Sequence, residues 1–138
     1  MYFLRSMSLL TVILIFSCTV QNNYNRDRAY NSRVERNSEK ITGICSYYGE
    51  KFHGKKTANG EVFNMYEFTA AHKSLPFGTK LEVKNIANGK KVIVRINDRG
   101  PFVSNRILDL SFAAAEEIDM IKSGTAEIEA EIIFKPNG

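Results

Sequence analysis

From Ile41 onward the chain consists largely of short stretches in which apolar and polar residues alternate, and that spacing restricts it to a mainly β fold. Lys80-Leu81-Glu82-Val83-Lys84 repeats with period two, as a strand with one buried face does. Asn88-Gly89 then supplies a hairpin turn before Lys91-Val92-Ile93-Val94-Arg95-Ile96, a second strand. Ala126 through Ile132 alternates again and presents three Glu on one face. Between them, Ser111 through Ile118 reads as one short helix with Ser111 as its N-cap. Gly78-Thr79 and Gly124-Thr125 each lead into an alternating strand. Two such strand-opening units in a small all-β domain point to a barrel with approximate twofold symmetry.

The N-terminus has a different character. Arg5 precedes the apolar run Leu9 through Phe16, which ends at Ser17-Cys18. The run falls short of the roughly 20 apolar residues that span a bilayer but suits the apolar core of an export signal. A small residue followed by Cys resembles a lipoprotein processing site, which would make Cys18 the lipidated first residue of the mature protein. A plain secreted protein cut nearby, or an uncleaved anchor, is the alternative. Residues 19–40 are rich in Asn, Arg, Ser and Glu and read as a flexible tether. The expected organisation is therefore a signal peptide at 1–17, a lipidated tether at 18–40 and one folded domain at 41–135.

The chain carries a net charge of +4, but the folded domain does not: residues 41–134 hold twelve basic and twelve acidic side chains. The excess lies in the flanks, where a basic tether beside a lipid anchor can lie against anionic headgroups. Without a basic strip interleaved with aromatics, no nucleic-acid partner is expected. Of the two cysteines, a lipidated Cys18 leaves Cys45 unpaired, so no disulfide framework is expected. Cys45 reads as a small buried residue in a strand. His53, His72 and Cys45 are metal ligands by type, but they are scattered without a ligand spacing, so no metal is expected.

Four polar segments could carry chemistry. Asn97-Asp98-Arg99-Gly100-Pro101-Phe102 follows a strand and holds an acid in a stiff turn, with Phe102 expected to anchor it in apolar surroundings. An ordinary turn with a salt-bridged Asp is the plainer reading of those six residues. His53 through Glu61 is polar and ends in a carboxylate whose direction an Asn59-Gly60 turn would fix. Thr69-Ala70-Ala71-His72 places small residues before an imidazole, and Arg106 through Ser111 contains an ion-pair candidate leading into the helix. Tyr47, Tyr48, Phe52 and Phe63 could stack on sugar faces or fill the core.

Together, His53 through Glu61, Ala70-Ala71-His72, Leu75-Pro76, Asn97 through Phe102 and Asp109-Leu110-Ser111 resemble the rare lipoprotein A (RlpA) family in order and spacing. The resemblance covers nearly all of 42–133. It implies a double-psi β-barrel of six strands with one short helix, in a bacterial envelope lipoprotein that faces the periplasm and binds peptidoglycan. It also implies lytic transglycosylation of glycan strands lacking stem peptides. By motif, Asp98 and Glu61 match the family's two essential carboxylates and His72 a third functional position. Their neighbours Thr57, Asn59, Asn97 and Arg99, with Tyr48, are candidates for sugar contacts. Cys45 replaces the family's usual Ala, a change small in volume. Many members carry a downstream glycan-binding domain; with four residues after Phe134, targeting by that route is expected to be absent. Thr19 after Cys18 leans toward the outer membrane, and a monomer is expected.

Cleaving a β-1,4 glycosidic bond needs a proton on the leaving oxygen as positive charge builds at the anomeric carbon. In lytic transglycosylation the sugar's own C6 hydroxyl closes on that carbon, so one carboxyl can serve as acid and then base, and no cofactor is required. Asp98 is the candidate. Glu61 could raise the pKa of Asp98, stabilise the developing charge or hold the sugar. Arg99 is expected to point away, toward Asp109, and His72 to orient a carboxylate or bond a sugar hydroxyl. The competing readings are a glycan-binding module without turnover, similar to other double-psi barrels that loosen walls, and a purely structural surface lipoprotein.

Overall fold

The hairpin expected around Asn88-Gly89 forms the most regular part of the molecule. The computed structural model describes residues 39–137; the expected signal peptide, the expected lipidation site at Cys18 and almost all of the expected tether lie outside them. The strands are β1 (Lys40–Tyr47), β2 (Thr69–Ala71), β3 (Lys80–Asn85), β4 (Lys91–Asp98), β5 (Arg106–Leu110) and β6 (Thr125–Phe134). A 3-10 turn covers Glu50–Phe52, and helix α1 covers Phe112–Glu117. β3 and β4 pair antiparallel from Lys80↔Arg95 to Lys84↔Lys91. Gly89 takes a positive φ of 74° at the turn, a conformation that costs glycine little.

The strands close into a barrel in the order β1-β5-β2-β4-β3-β6. Two pairs are parallel, β1 with β5 and β2 with β4, and the other four are antiparallel. Exchanging β1 with β4, β2 with β5 and β3 with β6 maps each pairing onto one of the same sense. That symmetry is the double-psi β-barrel. It makes β3 and β6 equivalent, the two strands that Gly78-Thr79 and Gly124-Thr125 open. Both glycines have positive φ, 87° and 75°.

Alternation builds the core. Leu81, Val83, Val92, Val94, Ile96, Ile128 and Ala130 point inward from β3, β4 and β6, while Glu127, Glu129 and Glu131 occupy the other face of β6. Ala114, Ala115, Ile118 and Met120 close the barrel from α1 and the turn behind it. Each large aliphatic side chain removed from water contributes about 1.5–3 kcal/mol. Ser111 caps α1 by accepting from Ala114 N–H at 3.3 Å. At the other end the carbonyl of Ile118 accepts from the side-chain amides of Asn85 (2.9 Å) and Asn88 (3.0 Å), so a helix-end acceptor is satisfied. Cys45 is wholly buried with Sγ 3.6 Å from Met120 Sδ; burial pushes its thiol up to about 12, which leaves it inert.

β2 and β5 are strands where the sequence pattern showed none. β2 is three residues long and buried throughout, so there is no polar face to alternate with. In β5, Leu108, Asp109 and Leu110 are all buried, and the acid in the middle breaks the apolar signal. Asp109 is instead satisfied internally: Ser46 hydroxyl donates to its Oδ1 at 2.5 Å and Arg106 Nε lies 3.3 Å from the same oxygen. The expected Arg106–Asp109 pair is therefore present.

Candidate glycan-cleaving site

β4 ends at Asp98, and the polar residues singled out from sequence gather around that end. β2 lies beside it, with Ala71 in register with Asp98, and His72 N–H donates to the Asp98 carbonyl at 3.2 Å. On the other flank sits a narrow hairpin. Gly54 N–H reaches Phe63 O at 2.9 Å, Phe63 N–H reaches Lys55 O at 2.7 Å, and Thr57 N–H reaches Glu61 O at 2.8 Å. Gly60, at a φ of 90°, lets the chain reverse at its tip.

The Asp98 carboxylate is fixed from three directions. Oδ1 accepts from the backbone N–H groups of Ala58 and Arg99, both at 2.8 Å. Oδ2 accepts from the Tyr48 hydroxyl at 3.0 Å. Burial, and then the neighbouring Asp98 charge, push the Tyr48 phenol well above its ordinary value, so it stays protonated. Tyr48 itself is held edge-on between the rings of Phe52 and Phe63, at 5.4 and 5.2 Å. These aromatics, with Lys55, Lys56, Thr57 and Asp98, line a small open cleft. Phe63 is buried while Phe52 is partly exposed, so the cluster divides between core and cleft wall.

Glu61 is bound more tightly than any other carboxylate here. Arg95 grips it with two bonds, Nη1 to Oε1 at 2.7 Å and Nη2 to Oε2 at 2.9 Å. Asn59 Nδ2 donates to Oε1 at 2.8 Å and Asn97 Nδ2 to Oε2 at 3.1 Å. The Arg95 hydrogen bonds, helped by the two amides, bring its pKa down to about 2. This geometry bears on each role expected of Glu61. A Glu61 whose charge is matched by Arg95 is not a free negative charge acting on Asp98, and four donors fill the acceptor sites that would hold a sugar. What it does is clamp the 57–61 turn to β4. The neighbours follow suit. Asn97 is only 3 % exposed and supports the turn, while Thr57 lines the cleft with its hydroxyl donating to Asn59 Oδ1 at 2.6 Å. Asn59 Oδ1 also accepts from Glu61 N–H at 3.1 Å.

His72 Nδ1 accepts from two backbone N–H groups, Leu75 at 2.9 Å and Ser74 at 3.1 Å. Its proton therefore sits on Nε2, leaving one outward donor. Desolvation, with Arg99 and Lys73 nearby, lowers its pKa from 6.5. A group depressed on folding adds stability above its unfolded pKa and loses it as pH falls through the folded one. Acidification should thus release the Ser74-Leu75 turn. Nitrogen NMR of the ring is expected to show neutral, Nε2-protonated His72 at pH 6.5; a doubly protonated ring at that pH would contradict the geometry.

Two further residues differ from expectation. Arg99 turns to the His72 carbonyl at 3.3 Å and stacks 3.8 Å over Phe77, not toward Asp109, which Arg106 already holds. Phe102 is 90 % exposed and anchors nothing. The residue that the sequence reading passed over is Arg95. Its signal was there: in β4 it shares a face with Asn97, two positions on, and both meet Glu61. His53 plays a local part, its Nδ1 accepting from Met65 N–H at 3.2 Å.

Residues 40–130 match the family model described as lytic transglycolase. The endolytic peptidoglycan transglycosylase RlpA of Helicobacter pylori strain J99 is 59% identical over 95 residues, covering 69% of this chain and 30% of that protein. Its counterpart from Campylobacter jejuni is 55% identical over 106 residues, covering 77% and 38%. The chain thus spans about a third of the length of these relatives. Among solved structures, the barrel resembles an expansin from Clavibacter michiganensis, with a TM-score of 0.57, 19% identity, and coverage of 72% of this chain and 53% of that one.

Proposed function

The chain belongs to the RlpA-like family of double-psi barrel lytic transglycosylases, and on that premise we propose that it cleaves peptidoglycan glycan strands endolytically. The bond is the β-1,4 link from MurNAc to GlcNAc, the product end is 1,6-anhydro-MurNAc, and the substrate is glycan lacking stem peptides. The observation that carries this reading is Asp98, an acid in an open cleft with one oxygen pinned by backbone and the other shared with a phenol. Because Oδ1 accepts from two N–H groups, the catalytic proton belongs on Oδ2. Tyr48 hydroxyl can accept from Oδ2–H and donate to Oδ2 once the proton has left. Asp98 gives that proton to the departing GlcNAc O4. The resulting carboxylate then takes the proton of the MurNAc C6 hydroxyl as that oxygen closes on C1. The proton count balances, and water takes no part. Glu61, ionised throughout, holds the turn that orients Asp98, and His72 Nε2–H is a donor for a sugar oxygen.

The proposal places the protein in the bacterial cell envelope. Cys18 carries lipid after removal of 1–17, and 18–40 tethers a monomeric barrel facing the wall, with the outer membrane as the favoured anchor site. The test is digestion of purified sacculi, with and without stem peptides, read by mass spectrometry for 1,6-anhydro ends. Retained binding to sacculi without any such product would turn the assignment to a glycan-binding module. The likeness to an expansin, a fold solved with cellohexaose bound, supports that second reading.

Either reading gives Phe102 a role, since an exposed ring four residues after Asp98 offers an apolar platform for a sugar face. Phe102→Ala is expected to weaken sacculus binding about three- to tenfold while leaving the melting temperature unchanged. Unaltered binding in a pull-down titration would remove Phe102 from the site.

A further inference from the structure

Charge in the barrel is balanced overall but segregated locally. Between Lys51 and Gly60 there are three lysines and no acid. Among the described residues no carboxylate lies within 4.0 Å of Lys51, Lys55 or Lys56, a condition shared with Lys73, Lys80, Lys84 and Lys122 but not with Lys40, Lys90, Lys91 and Lys135, so it is position that sets the first group apart. Two of the three line the same cleft as Asp98. Lys55 Nζ sits 5.5 Å from the Phe52 ring centroid, with Lys51 Nζ at 5.2 Å. Their backbone is not loose. Lys55 O accepts from Phe63 N–H, and Lys56 bridges Val62, on the hairpin whose tip Arg95 clamps through Glu61. Unpaired cations held in a fixed place beside an acid suit an anionic group on the ligand.

We propose that Lys55 and Lys56 form a subsite that reads a free carboxylate on the sugar being cleaved, and so select for strands stripped of peptide. The inference rests on the glycan-cleaving reading above. In MurNAc the lactyl ether hangs from the ring whose anomeric carbon reacts, so its carboxyl lies one sugar ring from the catalytic acid. That matches a cleft in which two lysines and Asp98 share a wall. When a stem peptide is attached, the same carboxyl is an amide with no charge, and the peptide extends toward the lysines. When it is removed, the carboxylate is exposed and ionised at neutral pH. The selection is therefore electrostatic at its origin and should weaken with salt.

The experiment uses the full chain and two glycans. One is amidase-stripped sacculus glycan with free lactyl carboxylates; the other is the same material after carbodiimide coupling to methylamine, which leaves a neutral amide. Wild type is expected to bind the methylamide form about tenfold more weakly, as the loss of two partly exposed ion pairs implies. K55Q/K56Q should lose the same factor on the carboxylate glycan and nothing further on the methylamide, while K55R/K56R restores discrimination. Both lysines are exposed, so folding is not at stake. Equal wild-type affinity for the two glycans, binding to neither, or an equal loss on both in the Gln variant overturns the proposal. Discrimination in binding without any 1,6-anhydro product leaves this subsite standing and removes turnover; cleavage of both glycans alike does the reverse.

Discussion

Asp98→Asn should abolish cleavage while leaving glycan binding and fold in place. Asn is nearly isosteric, and its single carbonyl oxygen is expected to settle where Oδ1 now sits, because Ala58 and Arg99 both present N–H groups there at 2.8 Å. The amide nitrogen then takes the Oδ2 position and donates to the Tyr48 hydroxyl, which can accept. All three contacts survive, and only the transferable proton is gone. General acid–base catalysis contributes about 10²–10⁴-fold, so production of 1,6-anhydro ends should fall by that factor or below detection. The companion measurements are pull-down on sacculi and thermal melting, both expected to match wild type. Undiminished product would show that another group supplies the proton, and a parallel loss of binding would make Asp98 a ligand-holding residue only.

The parts of the fold that were legible in the sequence are those where one face meets water. β3, β4 and β6 alternate because their outer faces are solvated, and α1 announced itself through Ser111 and a run of alanines. β2 and β5 did not, because both are enclosed: Ala70 and Ala71 have nothing polar to alternate with, and Asp109 is a buried acid satisfied by Ser46 and Arg106. The Gly-Thr echo was faint in letters yet marked the true twofold, since Gly78 and Gly124 both take positive φ where they open the equivalent strands β3 and β6. At the site, the turn chemistry of Asn59-Gly60 and of Asn97 through Pro101 identified where two carboxylates are presented. It did not show what each carboxylate touches. Long-range pairing decided that, with 34 positions separating Glu61 from Arg95. Phe102 was misjudged for the opposite reason: an aromatic beside a Gly-Pro turn reads as an anchor unless its partners are known, and here it has almost none.

Arg95→Met is expected to reduce turnover about 100-fold without touching substrate, because it releases the turn that orients Asp98. The chain of contacts is short. Arg95 holds both oxygens of Glu61, Glu61 fixes Asn59 and the 57–61 turn, and that turn carries the Ala58 N–H bonded to Asp98. Met keeps much of the apolar stem and loses the fork, so the test removes the grip and little else. If Glu61 acts through the clamp, then Glu61→Gln in the Arg95→Met background should cost little more than either change alone. Near-complete non-additivity is the mark of two residues in one unit. Independent, multiplying losses would instead return Glu61 to a direct role at the sugar. The pH dependence separates the cases further. With its pKa held at about 2, Glu61 in the wild type supports the fold at any pH above the ordinary carboxylate range, and that support is lost progressively as pH falls from that range through the depressed value. In Arg95→Met the largest cause of the depression is gone, so Glu61 titrates closer to its usual value. The acid limb of activity should then move to higher pH than in the wild type. The Glu61-linked loss of thermal stability on acidification should instead flatten, because a group with equal folded and unfolded pKa adds no pH dependence. Superimposable acid limbs would mean that the guanidinium does not govern Glu61 in solution.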